Sequence, residues 1–173
     1  MVVATAMAVI TAGPAGAVDD TTTTTFTVTA GALEISAPTT SDLGTGGPGG
    51  PITDQLGNVV VTDARAELAP TWAATVASTD FTTGGATASE TIAKALVDYW
   101  SGPAVSTSGS GTTFVPGQVA AGNKVTLAAS RPAFALTAGV GNNSATWNPT
   151  LIVNVPAAAV TGEYSGTVTH SVV

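Results

Sequence analysis

The chain has 173 residues, no cysteine, 9% charged residues and a net charge of −7, with a pI near 4.1. Without cysteine there are no disulfides, no thiolate catalysis, no thiolate metal ligands and no thioether lipid anchor. The cations Arg65, Lys94, Lys124 and Arg131 are scattered. Binding phosphate takes clustered cations, so nucleic acid and anionic membrane surfaces are poor partners.

Val2 to Ile10 is a short apolar stretch, too short to span a bilayer. Ala15-Gly16-Ala17 follows with a small-x-small cleavage pattern. Residues 1–17 therefore read as a secretory signal peptide, and residues 18–173 as one domain with no integral membrane segment after cleavage. N-terminal sequencing of the exported protein is expected to begin at Val18; an uncleaved cytosolic chain would overturn that localisation.

Asp19 to Thr25 is a polar, threonine-rich lead, after which Phe26, Val28 and Ala30 alternate with threonines. It reads either as a linker or as the solvated start of a first strand. Gly31 breaks the run, and Leu33 and Ile35 begin another short strand. Asp42 to Pro51 is a Gly/Pro-rich loop. Its Gly44-Thr45-Gly46-Gly47-Pro48-Gly49 matches a dinucleotide-binding spacing only formally, because Pro48-Gly49-Gly50-Pro51 cannot start the required helix. Asn58 to Thr62 is a β-branched strand closed by Asp63-Ala64-Arg65, where Asp63 and Arg65 are expected to form a structural salt bridge. Thr71 to Ser78 is a strand with Trp72, Ala74 and Val76 on one face, and Phe81 to Gly85 is a turn.

Thr87-x-x-Glu90 resembles a capping box and Ile92, Leu96 and Tyr99 have helical spacing, while Val97 to Trp100 alternates. The preferred reading is a single helical turn followed by a strand. Ser106 to Gly111 is predicted as a loop, Val125 to Leu127 and Phe134 to Thr137 as short strands, and Gly139 to Ser144 as a second loop. From Trp147 onward two alternating runs, 147–156 and 162–173, read as a strand pair ending the chain. Trp147, Leu151, Val153 and Val155 share one face. Tyr164, Val168 and Val172 share another, opposite Ser165, Thr167, Thr169 and Ser171. Tyr164 resembles the corner tyrosine of Ig-like sandwiches. Many short strands separated by turn signals predict an all-β fold, an Ig-like antiparallel β-sandwich with long Gly/Pro/Thr-rich loops.

No catalytic, cofactor-binding or metal-ligating residues stand out. His170 is the only histidine and lies on the Val168/Val172 face, where packing explains it. Ser171 beside it points the other way, and no Gly-x-Ser-x-Gly elbow exists. Asp42, Asp54, Asp63, Asp80 and Asp98 are spread singly, without a calcium-loop pattern. Trp72 and Trp147 read as core. Tyr99 and Trp100 fall on opposite faces of one strand, so one of them points outward, and this pair is the candidate surface contact.

Val59-Val60-Val61-Thr62-Asp63-Ala64-Arg65, then Trp72 and Thr79-Asp80-Phe81, resembles the core of WxL-type domains of Gram-positive surface proteins. So do Tyr99-Trp100-Ser101-Gly102-Pro103 leading to Phe114-Val115-Pro116-Gly117-Gln118, and the closing Trp147…Val155-Pro156…Gly162-Glu163-Tyr164-Ser165-Gly166-Thr167. The resemblance covers most of the chain after residue 17. It implies a secreted domain associated non-covalently with the cell wall. The name-giving leucine two residues after each tryptophan is Ala74 and Pro149 here; the same-face aliphatics are Val76 and Leu151. The expected protein is thus extracellular, non-catalytic and on the bacterial cell surface, with peptidoglycan or other surface proteins as partners. The alternative is a self-assembling surface or fibre subunit, from low charge, high Thr/Val content and an uncovered last strand.

Overall fold

The computed structural model describes Gly16 and residues 18–173. The signal-peptide reading, with its cleavage after Ala17, lies outside the described residues. Strands form where apolar or β-branched residues alternate. β1 (Leu33–Ser36) and β2 (Pro51–Gln55) flank the Gly/Pro-rich loop. In β3 (Val59–Asp63) and β4 (Trp72–Ser78) every second side chain is buried, the mark of a strand with one face on the core. β5 (Phe81–Thr82) and β6 (Thr91–Ile92) pair around a 3-10 turn at Ala88–Glu90. There the Thr87 amide donates to Glu90 Oε2 at 3.0 Å, half of the capping box that the sequence predicts. A second 3-10 turn, Lys94–Leu96, leads into β7 (Val97–Trp100). The remaining strands are β8 (Ala104–Pro116), β9 (Val125–Thr126), β10 (Arg131–Trp147), β11 (Thr150–Asn154) and β12 (Val168–Val172).

All pairings between these strands are antiparallel. One sheet holds β1, β3, β10, β4, β12 and β8; a second has the order β2-β11-β7-β9. Along β10, Leu136 pairs with Trp72 and also with Phe114, and Trp147 pairs with Val59 and also with Ala104. So β8 follows one edge of β10, while β4 and then β3 follow the other. β12 lies beyond β4, and β1 beyond β3. The core sits between the sheets, with Val61, Trp72, Val76, Phe134, Leu136 and Trp147 meeting Val97, Tyr99, Leu151 and Val153. The chain is an antiparallel all-β sandwich.

Three expectations need correction. The predicted loops at Ser106–Gly111 and Gly139–Ser144 lie inside β8 and β10, paired with each other. Their glycines mark bulges: Gly109 (φ 125) and Gly141 (φ 67) take the left-handed conformations that glycine tolerates. The two closing runs are not partners. β11 pairs with β2 and β7 in one sheet, and β12 pairs with β4 in the other. Trp147 belongs to β10, because Asn148-Pro149 interrupts the run. Finally, residues 18–32 carry no strand; the first begins at Leu33.

Candidate functional site

The aromatic residues converge on the core instead of the surface. β7 sits between β11 and β9, which turns Tyr99 inward, where it is 0% exposed. Trp147, also 0% exposed, stacks on Phe134 with ring centroids 4.9 Å apart. Trp147 Nε1 donates to the Tyr99 hydroxyl at 3.2 Å. The same hydroxyl lies 3.2 Å from His170 Nε2. Its oxygen accepts from the indole and shares one further hydrogen bond with His170 Nε2, whose direction the imidazole tautomer sets. Nδ1 is buried without a partner among the described residues. Burial raises the Tyr99 phenol well above its usual range, the indole N–H offsetting this only in part. Burial also pushes the His170 imidazole down to about 4. A neutral histidine and a protonated tyrosine locked together inside the sandwich tie the two sheets.

That arrangement makes stability depend on acid. Between about pH 4 and pH 6.5 the unfolded chain protonates His170 while the folded chain does not. Stability is full above this window and falls as pH drops through it, by up to roughly 3 kcal/mol in all. His170→Gln is expected to cost at most roughly 1–2 kcal/mol at pH 7. It should also remove most of the decline between pH 6.5 and pH 4, read from thermal melts of both proteins across that range. A variant that keeps the wild-type acid decline would refute the buried neutral imidazole.

A second network anchors Trp72, which is 3% exposed. Its Nε1 donates to Asn143 Oδ1 at 2.9 Å, and Asn143 Nδ2 donates to Asp63 Oδ2 at 3.2 Å. Asp63, 1% exposed, also accepts from Arg65 Nε and Nη2, both at 2.9 Å. The Arg65 guanidinium holds the Asp63 carboxyl below the usual carboxylate range, against desolvation, with the Arg65 amide and Asn143 helping. The sequence predicts this ion pair but not Asn143, which lies 80 residues from Asp63 and whose local pattern reads as loop. A third interior group was likewise illegible: Asp98 accepts from Lys124 and from Asn154 Nδ2, joining three strands or turns far apart in the chain.

Of the candidate pair, only Trp100 reaches solvent, half-buried beside Gly102. Tyr99 as a surface contact is corrected by its burial: the inward face of β7 is Tyr99's, so Trp100 has the outward one. The Tyr164 hydroxyl lies 3.0 Å from the Val160 carbonyl and 3.1 Å from that of Ser89, bracing a corner as its sequence position predicts. The Gly44–Gly49 segment is loop, as expected, and forms one wall of a cleft of about 1120 Å³. Residues 160–168 form the other wall, over a floor that includes Ile52, Phe81, Ile92 and Leu151. Among the described residues no group of three or more His, Cys, Asp or Glu side chains is placed to hold a metal ion. No family model, curated protein or solved structure matches the chain.

Proposed function

We propose that this is a secreted, non-catalytic cell-surface module that acts through protein–protein contact, with surface proteins as its main partners and wall glycan a lesser one. The observation that carries this reading is the burial of Trp72, Trp147 and Tyr99, whose polar atoms are spent on one another and on Asn143 and His170. Sugar binding draws on exposed aromatic faces. Here only half-buried Trp100 is left among the tryptophans. Large apolar side chains are exposed instead ahead of the first strand, Phe26 at 88% and Val28 at 74%. The WxL-like segments support the placement at the cell surface. The test is co-sedimentation of the protein with intact envelopes, protease-treated envelopes and purified peptidoglycan. Retention on intact envelopes alone is expected. Retention on purified peptidoglycan that Trp100→Ala abolishes would overturn the reading in favour of a glycan-binding module.

A further inference from the structure

Residues 21–30 carry no strand and belong to no sheet. They read Thr21-Thr22-Thr23-Thr24-Thr25-Phe26-Thr27-Val28-Thr29-Ala30, all exposed. None of the loop, turn or side-chain hydrogen bonds among the described residues involves them. Pairing begins only at Gly31, whose amide donates to Ala64 O at 2.7 Å. The segment nevertheless has the strict two-residue alternation of a half-buried strand, with Phe26, Val28 and Ala30 on one face and threonines on the other. A segment with unspent backbone N–H and C=O groups and an unburied apolar face is what an open sheet edge binds as an added strand.

Among the described residues, the same molecule offers one such edge. Open edges are normally blunted by charge, proline, bulges or shortness. β2 begins with Pro51 and carries Asp54; β1 has four residues and includes Glu34; β9 has two residues. β8 is broken against β10 by four register shifts. β12, of five residues, has no charge, proline or bulge. It pairs with β4 without a register shift and carries no Asp, Glu, Lys, Arg or Pro. Ala73 and Val173 exchange both backbone hydrogen bonds, at 2.9 and 3.1 Å. By the alternation of an antiparallel ladder, the amides and carbonyls of Val168, His170 and Val172 then point away from β4.

We propose that residues 25–30 of one copy add antiparallel to the outer edge of β12 in a second copy, linking copies head to tail. This deepens the protein–protein reading above and rests on it. In the matching register Phe26 faces Val172, Val28 faces His170 and Ala30 faces Val168. On the solvent face Thr27 meets Ser171 and Thr29 meets Thr169, hydroxyl pairs that suit facing strands. The donor even repeats the receiver: Thr27-Val28-Thr29 is the same tripeptide as Thr167-Val168-Thr169. Neither stretch contains an acidic residue, so the net charge of −7 does not oppose the contact locally. The donor's own edge is disfavoured. The segment enters β1 from the end at which β12 finishes, so run straight along its own β12 it would lie parallel. Among the described residues, one donor and one open edge per copy make a heterologous contact that does not close, and its product is a filament.

Because the chain lacks cysteine, the contact can be trapped cleanly. Single-cysteine chains Thr27→Cys and Ser171→Cys should form a mixed disulfide dimer when combined and oxidised. Both positions are exposed, and the register places them in a non-hydrogen-bonded pair, within disulfide reach. The double variant should give a ladder of oligomers, and light scattering of wild type should show mass rising with concentration. Val28→Pro removes one donated amide from a segment that holds nothing in its own domain. It should abolish the oligomers and leave the melting temperature unchanged. A monomer at all concentrations, a double variant that closes only on itself, or a Val28→Pro chain that assembles like wild type would each overturn the proposal. A monomer that still sediments with envelopes would overturn strand addition alone; filaments that do not sediment would uphold it and overturn the surface-protein reading.

Discussion

Trp147→Ala is expected to lower the melting temperature by roughly 6–20 °C. The indole is 0% exposed, stacks on Phe134 and donates to Tyr99. Truncating a buried tryptophan removes its transfer free energy and leaves a cavity, roughly 3–5 kcal/mol together. In a domain of this size each kcal/mol shifts the midpoint by roughly 2–4 °C. The change also leaves Tyr99 without its donor, in a site where burial makes an unmet polar group expensive. Trp72→Ala should behave similarly, since it empties a core position and deprives Asn143 of its partner. Trp100→Ala, at a half-buried position, should cost clearly less. Thermal melts of the three variants make the comparison. Wild-type melting in Trp147→Ala and Trp72→Ala, with loss of envelope sedimentation, would move those residues from core to ligand site.

Arg65→Ala is expected to destabilise the fold by roughly 3–5 kcal/mol, because it strands a carboxylate in the interior. Asp63 is 1% exposed, and its two strongest side-chain partners are the Arg65 nitrogens at 2.9 Å. The acid response should shrink with it. In wild type the Asp63 carboxyl is lowered from 3.8. Its contribution is therefore complete above that value and is lost as pH falls through the lower folded value. Without the guanidinium the largest lowering influence is gone and the carboxyl rises from its wild-type value, so the variant should lose less stability in acid than wild type does. Urea unfolding of both proteins at pH 7 and near pH 3 reads both effects. Asp63→Asn, which keeps a hydrogen-bonding shape without the charge, should be milder. Equal stability of Arg65→Ala and wild type at pH 7 would remove the ion pair from the core's support.

Much of the fold was legible because strand alternation is a local property. Val59 to Asp63 is a β-branched run and Trp72 to Ser78 sets Trp72, Ala74 and Val76 on one face, and both became half-buried strands within a residue of the predicted limits. The capping-box turn at Thr87 and the corner role of Tyr164 were likewise readable, since each depends on residues three or four apart. The β8–β10 pairing was not. Its Gly, Ser and Thr stretches have loop composition, and only each other's backbone makes them strands.

From the sequence alone follow the all-β class, the inward faces of the strands, the absence of thiol chemistry and the packed state of His170. Each rests on composition or on the two-residue period, which a single segment carries by itself. Which strands pair, and so which aromatic residues meet, was decided only in three dimensions. The closing runs went to different sheets, β11 and β12, and that separation let Tyr99 from one sheet reach Trp147 and His170 from the other. Asn143 joined Trp72 to Asp63 across 71 and 80 residues. The alternation of residues 26–30 was plain in the sequence; that it finds no partner in its own sandwich was not. Periodicity specifies which face of a strand is apolar, but register and neighbour are chosen by the summed burial of the whole core, to which no local pattern has access.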